Sequence, residues 1–298
     1  MKHAVIDVGS NSLHLTVYEI AGGQFKSLFR SKIMAGLAGY VKNGRMSEEG
    51  IQEAQTALLE FRETLQSLSI DQVSVFATAS LRNIENTEEA LLRLRQATGF
   101  PIEVISGREE ALLSYAGASL DVPLSDGAFT DIGGASTEII SFTDGKVLCS
   151  ASCQVGSLSL YKKCVGMVLP GQKSMERMEK LMEEELDRLQ DFSFTKHENL
   201  ISVGGTARTV LKLAKKKYDL PDSCQILQKA QIEELYDLFC RKDKKIIKLI
   251  LRLAPDRIHT VVPGLFILRT FLEAFEAKHV IVSKYGIREG FLCRKDIQ

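Results

Sequence analysis

The stretch Asp7-Val8-Gly9-Ser10-Asn11-Ser12 decides the fold, because it joins two segments that the sequence predicts to be strands. Before it, the apolar run Ala4–Ile6 is typical of the end of a buried strand. After it, the alternation in Leu13–Tyr18 predicts a second strand, so Asp7 lies at a strand end beside a tight hairpin. Gly9 lets the backbone approach a ligand closely, and the next three N–H groups can point at an anion. A hairpin without a ligand explains the same pattern.

The same phrase returns later in the chain, as Asp131-Ile132-Gly133-Gly134-Ala135-Ser136-Thr137-Glu138-Ile139. Five pairs of residues match in the two copies: Asp7 with Asp131, Gly9 with Gly133, Ser12 with Ser136, Leu15 with Ile139 and Tyr18 with Phe142. A repeated strand, loop and strand implies two similar halves. We expect the halves to face each other across a cleft, where the two aspartates come close enough to share a metal ion. Two facing anion-binding hairpins suit a chain of phosphates.

The rest of the chain alternates predicted helices and strands, which indicates an α/β fold with a mixed sheet in each half. Ser47 is predicted to cap a first helix, and Asn86-Thr87-Glu88-Glu89 to open another with a capping box. Ser106 is predicted to cap the helix that follows the strand Pro101–Ile105. The second half repeats the scheme from about Asp126, and we expect the C-terminal segment to pack back on the first half.

Composition limits the classes of function. With 298 residues, 45% of them hydrophobic, the chain can form two packed domains. Lys plus Arg equals Asp plus Glu at 38 each, which gives no general basic field for nucleic acid. No apolar run approaches the roughly 20 residues of a membrane span, and the N-terminus leads directly into the first strand, so we expect a cytoplasmic protein. The six cysteines form no Cys-x-x-Cys pair, which argues against zinc and for reduced thiols.

The chain resembles the exopolyphosphatase/guanosine pentaphosphate phosphohydrolase (Ppx/GppA) family, within the actin–Hsp70–sugar kinase superfold. Besides the two hairpins, the resemblance includes Ala77–Arg82, Ile105–Ala111, Gly204–Thr206, Val262–Gly264 and Gly286–Gly290. Two positions depart from the usual family pattern, Ala135 in place of a third glycine and His14 in place of a frequent arginine.

The resemblance implies two similar actin-like (ribonuclease H-like) domains whose mixed sheets face an interdomain cleft. The predicted N-terminal domain covers residues 1–124 plus about 284–298, and the C-terminal domain covers 125–283. The resemblance also implies binding of inorganic polyphosphate or of guanosine pentaphosphate or tetraphosphate, with a second copy of the chain as a candidate partner.

Hydrolysis of a phosphoanhydride requires an oriented water and cations on the phosphate oxygens. The resemblance implies that Glu110 handles the water. The neighbouring Glu109 fits a capping box with Ser106 and is predicted to be structural. Asp131 and Glu138 are implied to be metal ligands, directly or through water, with Asp7 opposite. Mg²⁺ or another divalent cation is the expected ion, because it bridges carboxylates to phosphates.

The predicted phosphate-binding residues come from three loops and two arginines. They are Gly9, Ser10, Asn11, Ser12, Arg82, Gly133, Gly134, Ala135, Ser136, Thr137, Gly204, Gly205, Thr206 and Arg208. Arg288 is a further candidate, and each arginine serves equally well in a salt bridge between domains. The simpler alternative for Glu138 is a charge on the exposed face of a strand.

The favoured function is release of terminal phosphate from polyphosphate of short to medium length, because longer relatives carry further C-terminal domains. Alternatives are a guanosine pentaphosphate phosphohydrolase, an ATP-using member of the superfold and a non-catalytic sensor of alarmones. Two basic runs, Arg208–Lys217 and Arg241–Arg252, either form solvated faces or guide a polyanion. No aromatic residue in the sequence beside Gly204-Gly205 is placed to stack on a guanine, which favours polyphosphate.

Overall fold

A computed structural model describes residues 1–296, with side chains as far as residue 294. The strands are β1 (Lys2–Val8), β2 (Leu13–Ala21), β3 (Gln24–Ile33), β4 (Val41–Lys42), β5 (Arg45–Met46), β6 (Val73–Ala77), β7 (Ile102–Val104), β8 (Asp126–Ile132), β9 (Thr137–Thr143), β10 (Lys146–Cys153), β11 (Asn199–Val203), β12 (Ile226–Gln228) and β13 (His279–Val282). The α-helices are α1 (Glu48–Ser67), α2 (Ala79–Arg82), α3 (Thr87–Thr98), α4 (Gly107–Ala118), α5 (Ser157–Cys164), α6 (Gln172–Asp187), α7 (Gly204–Lys217), α8 (Lys229–Cys240), α9 (Lys244–Leu253), α10 (Val261–Ala274) and α11 (Ile287–Asp296). Within these residues, no helix combines the length and the apolar character needed to span a membrane.

The first compact unit comprises residues 1–110 and the segment from residue 291. Its five-stranded sheet has the order β3-β2-β1-β6-β7, with β1 antiparallel to β2 and parallel to β6. The central strand β1 is buried on both faces along Ala4–Ile6, which explains its continuous apolar run. Helices α1 and α3 pack together and bury Leu58, Phe61 and Leu94 in the core of this unit.

The second unit comprises residues 111–290. Its sheet has the order β10-β9-β8-β11-β13-β12, in which β8, β11 and β13 run parallel. The first five strands repeat the order of the first unit, because each hairpin meander continues into two parallel strands. Its core centres on α10, where Leu265, Leu268 and Phe271 are fully buried. The predicted α/β class with two mixed sheets is confirmed.

Three local predictions can be compared with the structure. The caps at Ser47 and Ser106 are confirmed, since each hydroxyl accepts a backbone N–H three residues later, from Gly50 at 3.3 Å and from Glu109 at 3.2 Å. The capping box at Asn86 is wrong. The Asn86 side chain binds the backbone of Met46 instead, accepting from its N–H at 2.9 Å and donating to its carbonyl at 3.1 Å.

The short strands β4, β5 and β12 were not predicted. The domain boundaries near residues 124 and 284 stay a prediction, while contacts divide the chain after residues 110 and 290.

In the second unit, α4 and α11 meet backbone to backbone through glycines. A Cβ placed on Gly117 would lie 1.9 Å from the carbonyl oxygen of Gly286. A Cβ on Gly290 would lie 1.9 Å from the carbonyl oxygen of Leu113. Real Cβ atoms do not come this close to backbone atoms, so both positions require glycine at this distance.

Candidate functional site

The turn between β1 and β2 is held by its own carbonyl groups. The carbonyls of Ser10 and Asn11 accept from the backbone N–H groups of Ala38 and Gly36, both at 2.9 Å. Gly9 has no room for a side chain, because a Cβ there would lie 2.9 Å from the carbonyl oxygen of Ser12. The first predicted phosphate loop is therefore a tight turn that is hydrogen-bonded to the segment after β3.

The turn between β8 and β9 repeats this geometry. A Cβ on Gly133 would lie 3.0 Å from the carbonyl oxygen of Ser136, which also accepts the Gly133 N–H at 3.0 Å. The Gly134 carbonyl accepts from the backbone N–H groups of Leu158 and Ser159 at 2.9 and 2.8 Å, so the start of α5 is fastened to the loop. The sequence repeat is thus a structural repeat, with the same glycine under the same carbonyl.

Ala135 is accommodated in the second turn without strain. Within the described chain, residues other than glycine with positive φ are Asn43, Ser69, Asp144, Asp219, Lys242 and Glu276, and Ala135 is not among them. Its carbonyl accepts from the Ser159 hydroxyl at 3.5 Å. The backbone here does not need the third glycine that is usual in the family, so the substitution leaves the loop intact.

Asp131 and Glu138 lie directly opposite each other in the β8–β9 pair. Directly opposed residues project from the same face of a sheet, so the two carboxylates share one face. The Ser114 hydroxyl donates to Asp131 Oδ2 at 2.6 Å, and the Ser152 hydroxyl donates to Glu138 Oε1 at 2.8 Å. Glu138 is 0% exposed, which rules out the alternative of a solvated charge on an open strand face.

Burial raises the pKa of the Asp131 carboxyl, against the opposing effects of the Ser114 hydrogen bond and of the positive charges of Arg208 and Arg288. A carboxylate with a raised pKa is one whose negative charge is incompletely compensated by its surroundings. Both arginines that the sequence suggested for this unit therefore act electrostatically on Asp131. A cation or a polar ligand beside Asp131 would complete that compensation.

The third predicted loop, Gly204–Thr206, lies beside Asp131. Strands β8 and β11 are parallel neighbours, with Asp131 paired to Val203, so their carboxyl ends meet at one edge of the sheet. Gly204 has φ +86°, and a Cβ on it would lie 2.7 Å from Asp131 Oδ1. The second unit thus brings together the predicted carboxylates, two glycine loops and Arg208.

In the first unit, Glu110 is buried and paired with Arg82. Arg82 Nη1 donates to Glu110 Oε2 at 2.6 Å and to the Ile105 carbonyl at 3.3 Å. Arg82, predicted to bind phosphate, here contacts the predicted catalytic carboxylate. The Glu109 carboxylate instead accepts the Ser106 N–H at 2.8 Å, and this hydrogen bond lowers the pKa of Glu109. The predicted capping role of Glu109 is therefore confirmed.

Three side chains near these groups were missed from the sequence: Ser114, Ser152 and Arg257. Ser114 is fully buried in α4, where a small hydroxyl among apolar neighbours is the one available signal. The guanidinium of Arg257 packs against Gly205, where a Cβ would lie 2.4 Å from Nη2. No local sequence pattern links Arg257 to Gly205, because they belong to separate segments of the chain.

Asp131 and Glu138 are the residues of the second unit that could hold a divalent cation. Among the described residues, no three His, Cys, Asp or Glu side chains are grouped to hold a metal by themselves. Mg²⁺ binds proteins through one or two carboxylates and completes its coordination with water and substrate phosphates. The Asp131–Glu138 pair supplies that smaller number of oxygen ligands.

Comparison with known proteins gives a consistent result. A model of the Ppx/GppA phosphatase family matches residues 16–296. A Haemophilus influenzae protein provisionally named exopolyphosphatase is 29% identical over 298 residues, covering 97% of this chain and 90% of that protein. The crystal structure of the Aquifex aeolicus member of the Ppx/GppA family superposes with a TM-score of 0.78 at 26% identity, covering 99% of this chain and 97% of that one. A Cytophaga hutchinsonii exopolyphosphatase shares the fold, with a TM-score of 0.84 at 23% identity over 98% of this chain and 96% of that one.

Proposed function

The chain belongs to the Ppx/GppA phosphatase family, and from that membership we propose that it releases terminal phosphate from inorganic polyphosphate. As a member of this family it is a hydrolase of phosphoanhydrides. The observation that carries the proposal is the Asp131–Glu138 pair beside two glycine loops, with Arg208 and Arg288 acting on the same carboxylate. Opposed carboxylates next to arginines and close-packed backbone suit a phosphate chain neutralised by a cation.

Asp131 and Glu138 would hold Mg²⁺ or another divalent cation, and Asp7, the equivalent residue of the first hairpin, stays a predicted ligand. When bound, such an ion supplies positive charge for the phosphate oxygens of the transition state. Arg208 would bind phosphate oxygens, because a guanidinium presents several donors in a fixed fork. The turns at Gly9–Ser12 and Gly133–Thr137 would supply backbone N–H donors.

Glu110 would orient the attacking water and accept its proton. The water oxygen attacks the terminal phosphorus while the bond from that phosphorus to the bridging oxygen breaks. The shortened chain leaves with the electron pair on the bridging oxygen. Arg82 would position Glu110, because its guanidinium donates hydrogen bonds to both the Glu110 carboxylate and the Ile105 carbonyl. A carboxylate held in this way loses little orientational freedom before the reaction.

Replacement of Arg82 by lysine tests this positioning. A lysine keeps the positive charge but presents a single ammonium, so it cannot reproduce both contacts of the guanidinium. We expect Arg82→Lys to lower kcat by about 10- to 100-fold with little change in KM. Steady-state phosphate release measures both constants, with the exposed Arg108→Lys as the matched control. A raised KM at unchanged kcat would return Arg82 to the phosphate-binding role predicted from the sequence.

A phosphate-release panel tests the proposed substrate. The panel compares polyphosphates of several lengths, guanosine pentaphosphate and ATP, each with Mg²⁺ and with EDTA. We expect release to be fastest from polyphosphate with Mg²⁺, and to be lost when the chelator removes the ion. Faster release from guanosine pentaphosphate would reverse the assignment. Binding of guanosine phosphates without any release would support the sensor alternative.

A further inference from the structure

A cavity of about 550 Å³ opens in the second unit beside Gly205. Its walls are α7, the segment with Asp222 and Gln225, residues 253–257 and the segment Val282–Lys284. Sites for small molecules usually measure some hundreds of cubic ångströms, so the cavity has room for a ligand of that kind. None of the described residues that line it carries an aromatic ring.

Five cationic side chains line the cavity, against two acidic ones. The cations are Arg208, Lys212, Lys215, Arg257 and Lys284, and the acids are Asp222 and Asp256. The chain as a whole is neutral, so this excess of positive charge is local. Low-dielectric walls around clustered charges strengthen their field and attract ions of the opposite sign.

The lysines of the cavity are held by neutral acceptors. Lys212 Nζ donates to the Leu253 carbonyl at 3.3 Å, and Lys215 Nζ donates to the Asp222 carbonyl at 2.6 Å. Neither lysine forms an ion pair with a carboxylate of residues 1–294, whereas Lys217, outside the cavity on the same helix, pairs with Glu234 at 3.0 Å. Lys212 and Lys215 therefore donate to backbone carbonyls rather than to carboxylates.

Arg257 adds a partly buried cation. Burial lowers the pKa of its guanidinium, and the charge of Asp256 opposes that effect. A guanidinium carries five N–H donors in a fixed fork, so an anion that enters the cavity can accept charge-assisted hydrogen bonds from it.

The wall opposite α7 is preorganised. The Asp121 carboxylate accepts from the Lys284 backbone N–H and the Gln225 amide, both at 3.0 Å, and also from the Ser283 hydroxyl. These bonds fix the backbone that carries Lys284. The backbone of this wall is thus held in place before any ligand binds.

We propose that this cavity binds the inner phosphates of an inorganic polyphosphate chain, behind the terminal one. Arg208 joins the two regions, because it lines the cavity and also acts on Asp131. A phosphate chain carries charge on every unit and needs no flat surface, which matches cationic walls without an aromatic ring. The assignment rests on the proposed polyphosphatase function and specifies a binding subsite for its substrate.

The experiment measures binding of tripolyphosphate by calorimetry in the Glu110→Gln background, where hydrolysis does not interfere. The cavity variant is Lys215→Gln with Lys284→Gln. The control is Lys216→Gln with Lys248→Gln, two exposed lysines outside the cavity whose replacement changes the net charge equally. We expect the cavity variant to bind about tenfold more weakly and the control less than about twofold, because only the former loses charge-assisted hydrogen bonds.

Equal weakening by both variants would overturn the proposal, since it would show general electrostatic attraction. Unchanged binding by the cavity variant, with a melting curve that shows it is folded, would also overturn it. GTP or ATP that binds the cavity more tightly than tripolyphosphate, and loses that affinity in the cavity variant, would assign the cavity to a nucleoside. If the wild-type protein binds tripolyphosphate but does not hydrolyse polyphosphate, the proposed function is refuted and the proposed binding subsite is still supported.

Discussion

Glu110→Gln is expected to lower kcat by about 10²–10⁴-fold, the usual contribution of a general acid–base group. Glutamine keeps the size of the side chain and one oxygen, but it cannot accept a proton from the attacking water. Substrate affinity should stay nearly unchanged, because the proposed phosphate contacts come from other residues. Single-turnover phosphate release together with polyphosphate binding separates the two effects.

The neighbouring acid provides the matched control. Glu109→Gln removes a negative charge one residue away, at an exposed site where the carboxylate caps α4 through Ser106. We expect the free energy of unfolding of the Glu109→Gln variant to fall by about 1 kcal/mol, as for a lost helix cap. Its activity should be largely kept. If Glu110→Gln keeps more than about half of the wild-type rate, against the loss expected of an acid–base group, Glu110 serves only structure.

Gly117→Ala is expected to destabilise the protein by about 3 kcal/mol or more, at the upper end of the range for overpacking. The added methyl group would lie 1.9 Å from the Gly286 carbonyl oxygen, and a backbone atom in a helix crossing cannot rotate away as a side chain can. The helices α4 and α11 would have to separate. In a chain of this size the melting temperature should fall by roughly 6–12 °C, measured by calorimetry.

A second glycine distinguishes crowding from the general effect of an added methyl group. Gly166 is exposed, and a Cβ placed on it would meet no atom within 4 Å beyond its chain neighbours, so Gly166→Ala should leave the melting temperature almost unchanged. A small shift for Gly117→Ala, equal to that of Gly166→Ala, would show that the crossing can open at little cost. Activity measured on the folded fraction would then report whether the spacing of the two helices matters for catalysis.

The sequence predicted the parts of this molecule that repeat. The match of Asp7 with Asp131 predicted two similar halves, and a hairpin meander followed by alternating helices and strands predicted a mixed sheet in each. The same alignment places His14 and Glu138 at equivalent positions, and the structure pairs them across the hairpin with Asp7 and Asp131. The capping role of Glu109 followed from spacing alone.

Other features depend on contacts between distant segments. Asn86 has the sequence context of a helix cap, yet its amide binds Met46 on a short strand, a partner 40 residues away. The cationic cavity takes its walls from four separated segments, so no window of sequence contains it. Gly117 has no distinctive sequence context, and only its contact with the Gly286 carbonyl shows why a side chain is excluded there.

The two hairpins also differ in the partner of the aspartate. Their strand order and the placement of their glycines are the same, but Asp7 faces a histidine, whereas Asp131 faces a second carboxylate. An imidazole is neutral or positive and a carboxylate is negative, so one backbone plan presents two chemically unequal surfaces. A repeat of the backbone is therefore not a repeat of the chemistry.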